Sequence, residues 1–306
     1  MTLLTSKFSV TTWPTLQFAS GRSWWGLNLR FDKYLAAQYP DQSRSQIANA
    51  IKRGDFTVNG QTVKAGYELR PTDVVAGELA APVITAQPED IPLDIVYEDE
   101  HLLIVNKPRG MVVHPGAGVK SGTLLNALLG RGQGHLERAG IVHRLDKNTA
   151  GLLVVAKTAV CQTRLSAMFA QHTIRRTYWG LVDGVVKTDQ TIDLNLKRHP
   201  QHRTIFTTTP TGGRRAITHL RVLERYAHHT WCEFTLATGR THQIRVHCRA
   251  IGHPLVGDPE YNHGDGQMLE AVKLEFVHPM TGQNISITVP PTKTFALRQK
   301  QCYHQS

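Results

Sequence analysis

The sequence predicts an α+β fold in two parts: a small α/β-hairpin domain, then a larger domain built on a mixed, mainly antiparallel sheet. Three observations lead there. Between residues 93 and 300, apolar runs of strand length dominate, with few of the helical crossovers a parallel sheet needs. An Asn59-Gly60 pair follows two short amphipathic stretches, as in a helix–hairpin unit. Residues 78–92 hold Pro82, Pro88 and Pro92 among Ala, Gln and acidic residues, which reads as a semi-rigid linker.

Taken in order, residues 1–28 place Trp13, Trp24 and Trp25 among Ser, Thr and Gly and read as a loosely specified extension. Residues 29–77 form the small domain. Phe31, Tyr34 and Leu35 mark one face of a helix that stops at Pro40. Ser43 or Ser45 caps a second helix carrying Ile47, Ala50 and Ile51, which ends at Gly54. Phe56-Thr57-Val58 alternates as a strand, Asn59-Gly60 turns it, and Val63 begins the return strand. In the larger domain, 93–300, strands are expected at 102–105, 111–113, 177–182, 216–223, 231–237, 272–276 and 285–289. Helices are expected from 123, capped by Ser121 or Thr123, and over 159–172 and 242–251.

Composition narrows the function. A hydrophobic content of 41% with 19% charged residues describes a folded globular protein and excludes a disordered one. Thirty-five Lys and Arg against 24 Asp and Glu leave a net charge of +11, which calls for an anionic partner, nucleic acid being the commonest. No Lys-rich amphipathic helix supports a membrane surface instead, and neither a signal-peptide apolar run nor a membrane span is expected. Cys161, Cys232, Cys248 and Cys302 are scattered, without a Cys-x-x-Cys pair. They predict neither disulfides nor structural zinc, and fit a reducing cytoplasm. None of the 16 histidines falls in a recognisable ligand spacing, so no metal is expected and nearly all read as solvated or RNA-facing.

The most informative stretch is Ile141-Val142-His143-Arg144-Leu145-Asp146-Lys147-Asn148-Thr149-Ala150-Gly151, followed by the apolar run Leu152 to Ala156. Ile141-Val142 reads as the end of one strand and Leu152 to Ala156 as a buried one. The polar turn between them holds Asp146 on fixed backbone at both ends. By residue type alone Asp146 is either a turn-closing carboxylate or a catalytic one.

His-Arg-Leu-Asp, Thr-x-Gly and an apolar strand resemble the active-site signature of the RluA-type pseudouridine synthases. Three further segments resemble that family in the right order: Asn106-Lys107-Pro108 through Gly118 with Thr123 to Leu128; Arg176-Thr177-Tyr178; and Gly239-Arg240-Thr241-His242-Gln243-Ile244-Arg245-Val246-His247 with His253 through Tyr261. Before them, Arg30 to Leu35, Ser43-Arg44-Ser45 and Gly54 to Gly60 resemble the S4 RNA-binding module. Two departures stand out. Ala150 replaces the family's Ser, and Leu269-Glu270-Ala271 replaces Leu-His-Ala, where altered packing or RNA contact is expected.

The resemblance implies isomerisation of uridine to pseudouridine in RNA, without metal or organic cofactor; a monomer is expected, though the sequence does not fix the oligomeric state. The resemblance makes Asp146 the nucleophile, attacking either the sugar C1′ or the base C6. Arg245 is implied as the guanidinium that favours the ionised carboxylate, and Tyr178 as a ring stacked on the flipped uracil whose hydroxyl helps remove the C5 proton. On the residues alone, Tyr178 also reads as a core strand tyrosine, and Arg245 as a phosphate clamp or helix-end charge. Arg44, Lys52 and Arg53 lie on the exposed side of the S4-like part. Arg198, Arg203, Arg214 and Arg215 flank a Thr-rich loop. With Arg144, Arg240 and His242 they are the RNA-contact candidates. The segments Val113 to Gly118, Ser43-Arg44-Ser45 and Arg198 to Thr204 look most like the branch that modifies the helix-69 loop of 23S rRNA in the large ribosomal subunit; the alternatives are the same chemistry on another 23S rRNA site or a tRNA, and a non-catalytic RNA-binding ribosome-assembly factor.

Overall fold

The computed structural model describes residues 29–39, 42, 44–80, 86–116, 118–202, 204–264 and 266–303. The expectations for residues 1–28, Pro40, Ser43 and Arg203 lie outside these, as does the side chain of Ser45. Contacts divide the chain into two compact units, 1–82 and 83–306.

The first unit runs β1 (Leu29–Arg30), α1 (Phe31–Gln38), α2 (Arg44–Arg53), β2 (Phe56–Val58), β3 (Glu68–Leu69) and β4 (Val75–Gly77). Phe31 and Leu35 of α1 pack on Ile47, Ala50 and Ile51 of α2 and on Phe56 and Val58, the helical and strand spacings read from the sequence. Asn59 and Gly60 do turn the chain, both at positive φ (52° and 75°), but the turn closes a single bridge between Val58 and Gln61. The return strand expected at Val63 is absent. β2 pairs instead with β4, and β3 with β1, both antiparallel. A pairing rule that reads only neighbouring residues misses a partner 17 positions on.

The second unit contains β5 (Ile95–Glu98), β6 (Leu102–Lys107), α3 (Leu124–Gly130), β7 (Ala150–Ala156), α4 (Ala159–Ala170), β8 (Arg175–Asp183), β9 (Gln190–Arg198), β10 (Phe206–Thr209), β11 (Arg214–Arg225), β12 (His229–Leu236), α5 (Gln243–Ala250), β13 (Leu269–Val277), β14 (Asn284–Thr288) and α6 (Lys293–Tyr303). Its strands form one ten-stranded sheet in the order β10-β9-β11-β12-β8-β13-β7-β6-β5, with β14 also on β13. β13 with β7 is parallel and the other pairs are antiparallel, so the sheet is mixed and mainly antiparallel as expected. β7 is buried along its whole length, and Leu152 to Val155 divide their side chains between cores on the two sheet faces. Each such side chain contributes roughly 1.5–3 kcal/mol.

Several local expectations fail for physical reasons. Met111, Val112 and Val113 form no strand, because the carbonyls of Val112 and Val113 accept from Leu124 N and Leu125 N, at the start of α3. Ile141 makes one bridge to Val155 and no strand. The Thr-rich segment, expected as a loop, is β10, paired with β9. Histidines are less solvated than expected: His247 and His278 are buried, and His143 stacks on Phe169 at 4.4 Å. Glu270 is buried, holding Arg109 by an ion pair and accepting from Thr292 N at 2.8 Å.

Candidate active site

Backbone bonds hold the Asp146 turn from both sides. Thr149 N donates to Asp146 O at 3.1 Å, and Lys147 O accepts from Gly110 N at 2.9 Å. The buried Lys107 adds its ammonium, which donates to the carbonyls of Pro108 (3.0 Å), Met111 (2.9 Å) and Lys147 (3.3 Å). Burial pushes Lys107 down to about 7, against the attraction of Asp146. Immediately after the turn, Gly151 has φ +111°, and a Cβ there would sit 2.1 Å from Ala271 O. Only glycine lets β7 begin against β13 at this point.

Facing this turn is the segment leading into α5. The side chain of buried Gln243 fills its bonding capacity: Oε1 accepts from Thr238 Oγ1 and Arg240 N, while Nε2 donates to Ile217 O and Thr218 Oγ1. That fixes residues 239–242 on β11 and sends Arg245, three-residue helical spacing beyond His242, toward Asp146.

Arg245 Nη1 lies 3.3 Å from Asp146 Oδ2, across 99 residues of chain. Its Nε and Nη2 donate to Asp258 at 2.7 Å each, and Nη2 also to Glu260 at 2.6 Å. Burial opposes its charge, but the bonds to Asp258 and the charges of Asp258, Asp146 and Glu260 outweigh that and raise its pKa further. The guanidinium is permanently charged. Asp146 remains 18% exposed, open to the pocket, while Asp258 is fully buried.

Tyr178, on β8, lines the same pocket with Asp146, Arg144, Arg240, His242 and Leu236. Burial pushes its phenol up, so the hydroxyl is protonated at neutral pH. His242 is brought to within 3.9 Å of Asp146. The structure thus joins Asp146, Tyr178, Arg245, Arg144, Arg240 and His242 at one pocket.

The other candidates lie elsewhere. Arg198 stacks its guanidinium 5.0 Å from the Phe206 ring centre, Arg214 is exposed, and Arg215 pairs with Asp193. In the first unit Lys52 is exposed, Arg44 pairs with Asp32, and Arg53 with Asp55. Sequence reasoning gave no role to Lys107, Asp258 or Glu260. The signal was available only as a carboxylate in a Gly-Asp-Pro turn and a lysine among apolar neighbours. Among the described residues no cluster could hold a metal, and no helix is long and apolar enough to cross a membrane.

Comparison with known proteins gives this arrangement its class. Residues 101–250 match the RNA pseudouridylate synthase family and residues 29–75 the S4 domain. The class is an RNA-modifying isomerase carrying an RNA-binding module. An uncharacterized RNA pseudouridine synthase of Synechocystis is 44% identical over 86% of both chains. Ribosomal large subunit pseudouridine synthase D of Escherichia coli is 43% identical over 84% of this chain and 85% of its own. The solved human RNA pseudouridylate synthase domain containing 1 superposes with a TM-score of 0.56 at 27% identity, covering 67% of this chain and 86% of that one. The chain belongs to the RluA-type family of RNA pseudouridine synthases, with an N-terminal S4 domain.

Proposed function

We propose that this enzyme isomerises uridines of ribosomal RNA, in the helix-69 region of 23S rRNA, with Asp146 as the nucleophile. The observation that carries the reading is the Asp146–Arg245 pair in a pocket also lined by Tyr178, Arg144 and Arg240. The Arg245 guanidinium, 3.3 Å away, orients the Asp146 carboxylate that attacks C1′ or C6. The Tyr178 ring offers a face for the flipped uracil. Burial holds its hydroxyl protonated, so its role is that of a donor toward the base and not, as expected from the sequence, of the group that takes the C5 proton. Extruding the uridine costs a few kcal/mol, which contacts to phosphates offset; Arg144, Arg198, Arg214 and Arg240 are the residues assigned to them.

The ribosomal target is supported by relatives named for the large ribosomal subunit at 40–43% identity. A different RNA is the second reading, because two relatives with no assigned target are equally similar, at 43–44%. Mapping pseudouridine by carbodiimide-induced stops in RNA from a deletion strain tests both. Loss of the modification in the helix-69 loop supports the first, and loss elsewhere in rRNA or in tRNA supports the second.

A further inference from the structure

His242 stands in the left-handed backbone region, φ 56° and ψ 20°, which few non-glycine residues adopt, histidine and asparagine more readily than most. Its ring is held edge-on by Phe206 at 5.7 Å and by Tyr261 at 5.8 Å. Its Nδ1 has two neighbours, Tyr261 Oη at 3.0 Å and Glu260 Oε2 at 3.4 Å, and the tautomer invoked below is the one in which Nδ1 accepts from Tyr261. Tyr261 Oη accepts from Phe206 N at 2.9 Å, so its own proton is free to go to His242 Nδ1, 3.0 Å away. An Nδ1 that accepts leaves the imidazole proton on Nε2. That Nε2 faces the pocket, 3.9 Å from Asp146 Oδ2. The gap is too long for a direct bond and leaves room for a substrate atom beside the carboxylate.

Burial keeps the ring neutral against the carboxylates around it. Burial disfavours protonation most strongly, and Arg245 adds to that, while Asp146, Glu260 (3.4 Å from Nδ1) and Asp258 oppose; the balance lies below an ordinary histidine.

We propose that His242 is a substrate-contacting donor, whose Nε2–H bonds a carbonyl oxygen of the uracil and holds the negative charge that collects on the base during reaction. This rests on the reading of the Asp146 pocket as the uridine site. Both routes open to Asp146 load the same oxygens. When N1–C1′ breaks, its electron pair leaves with the uracil and spreads to the carbonyls. When the carboxylate adds to C6, the C5–C6 π pair is displaced toward the C4 carbonyl oxygen. His242 transfers no proton in either case. A fixed donor at a developing oxyanion contributes about 10²–10³ in rate.

The test compares His242→Asn and His242→Gln in single-turnover pseudouridine formation, with RNA affinity measured alongside. Asn tolerates the left-handed backbone, so it keeps the fold, but its amide stops short of the Nε2 position. Gln reaches it. The expected result is a loss of about 10²-fold in rate for Asn, RNA affinity within about threefold of wild type, and at least tenfold recovery in Gln. A wild-type rate in His242→Asn, equal losses in both variants, or a loss confined to affinity overturns the proposal. Asp146→Ala assayed in parallel separates the two readings. If it still makes product, the pocket assignment falls; if it is inactive while His242→Asn is unimpaired, only the role of His242 falls.

Discussion

Asp258 grips Arg245 with two parallel 2.7 Å bonds, one to Nε and one to Nη2, and so leaves Nη1 directed at Asp146. Fork-to-fork pairing of this kind fixes the plane of a guanidinium as well as its position. Oδ1 of Asp258 also accepts from the backbone N–H of Glu260 and Tyr261, so the carboxylate is itself held by its turn. The arginine beside Asp146 is thus set from behind.

Removing that support takes from a buried cation its bidentate partner, leaving Glu260 and Asp146. Asp258→Ala is expected to lose about 3–5 kcal/mol of stability, the usual cost of breaking a buried pair, and to lower turnover. Urea unfolding with a single-turnover assay checks both. Unchanged stability would mean that Arg245 is held by Glu260 alone.

Arg245→Lys keeps the charge and forfeits the fork. One ammonium cannot meet Asp258, Glu260 and Asp146 in their present geometry. Its rate should fall by about 10²-fold, the scale of losing one well-placed electrostatic contact, with RNA affinity preserved. Stopped-flow or quench kinetics on a defined transcript measures this.

At Gly151, backbone geometry makes a sharper claim. An added Cβ would meet Ala271 O at 2.1 Å in a positive-φ conformation. Gly151→Ala should cost about 3 kcal/mol or more, the upper range for forced overpacking, and misplace the Asp146 turn. Thermal melting followed by circular dichroism tests it.

Buried histidines predict acid sensitivity. Burial pushes His143 down to about 3 and His247 to about 4. His143 Nε2 accepts from Val154 N at 3.0 Å, and His247 Nδ1 meets Thr218 Oγ1 at 2.9 Å. The unfolded chain takes up these protons below an ordinary histidine pKa near 6.5, whereas the folded chain refuses them. Stability is therefore full above about pH 6.5 and falls as pH drops toward 4, by up to about 3 kcal/mol for each group. His247→Gln should flatten the urea midpoint against pH over that window.

How much of this was legible varies with distance along the chain. Phe31, Leu35, Ile47 and Ile51 announced their helices by spacing, and Leu152 to Ala156 its strand by an unbroken apolar run. β9 and β10 were hidden because Lys197, Arg198 and the threonines read as an RNA-facing loop, while Ile192, Leu194 and Leu196 alternate beneath them. α6 was overlooked since only Phe295 and Cys302 of its residues are buried. Asp146 and Arg245 were both named, yet no spacing rule places residues 99 apart in contact; the motif resemblance supplied that. Asp258 and Lys107 were quoted within motifs without a role, because a buried charge is recognised only when its partners are seen.

The central claim is that Asp146 forms the bond to uridine, and one measurement meets it directly. Wild-type protein and Asp146→Ala are each incubated with unmodified large-subunit ribosomal RNA, and the RNA is digested to nucleosides and separated. The account predicts pseudouridine from the wild type and none from Asp146→Ala, with both proteins still binding the RNA. Pseudouridine formed by Asp146→Ala at the wild-type rate would contradict it.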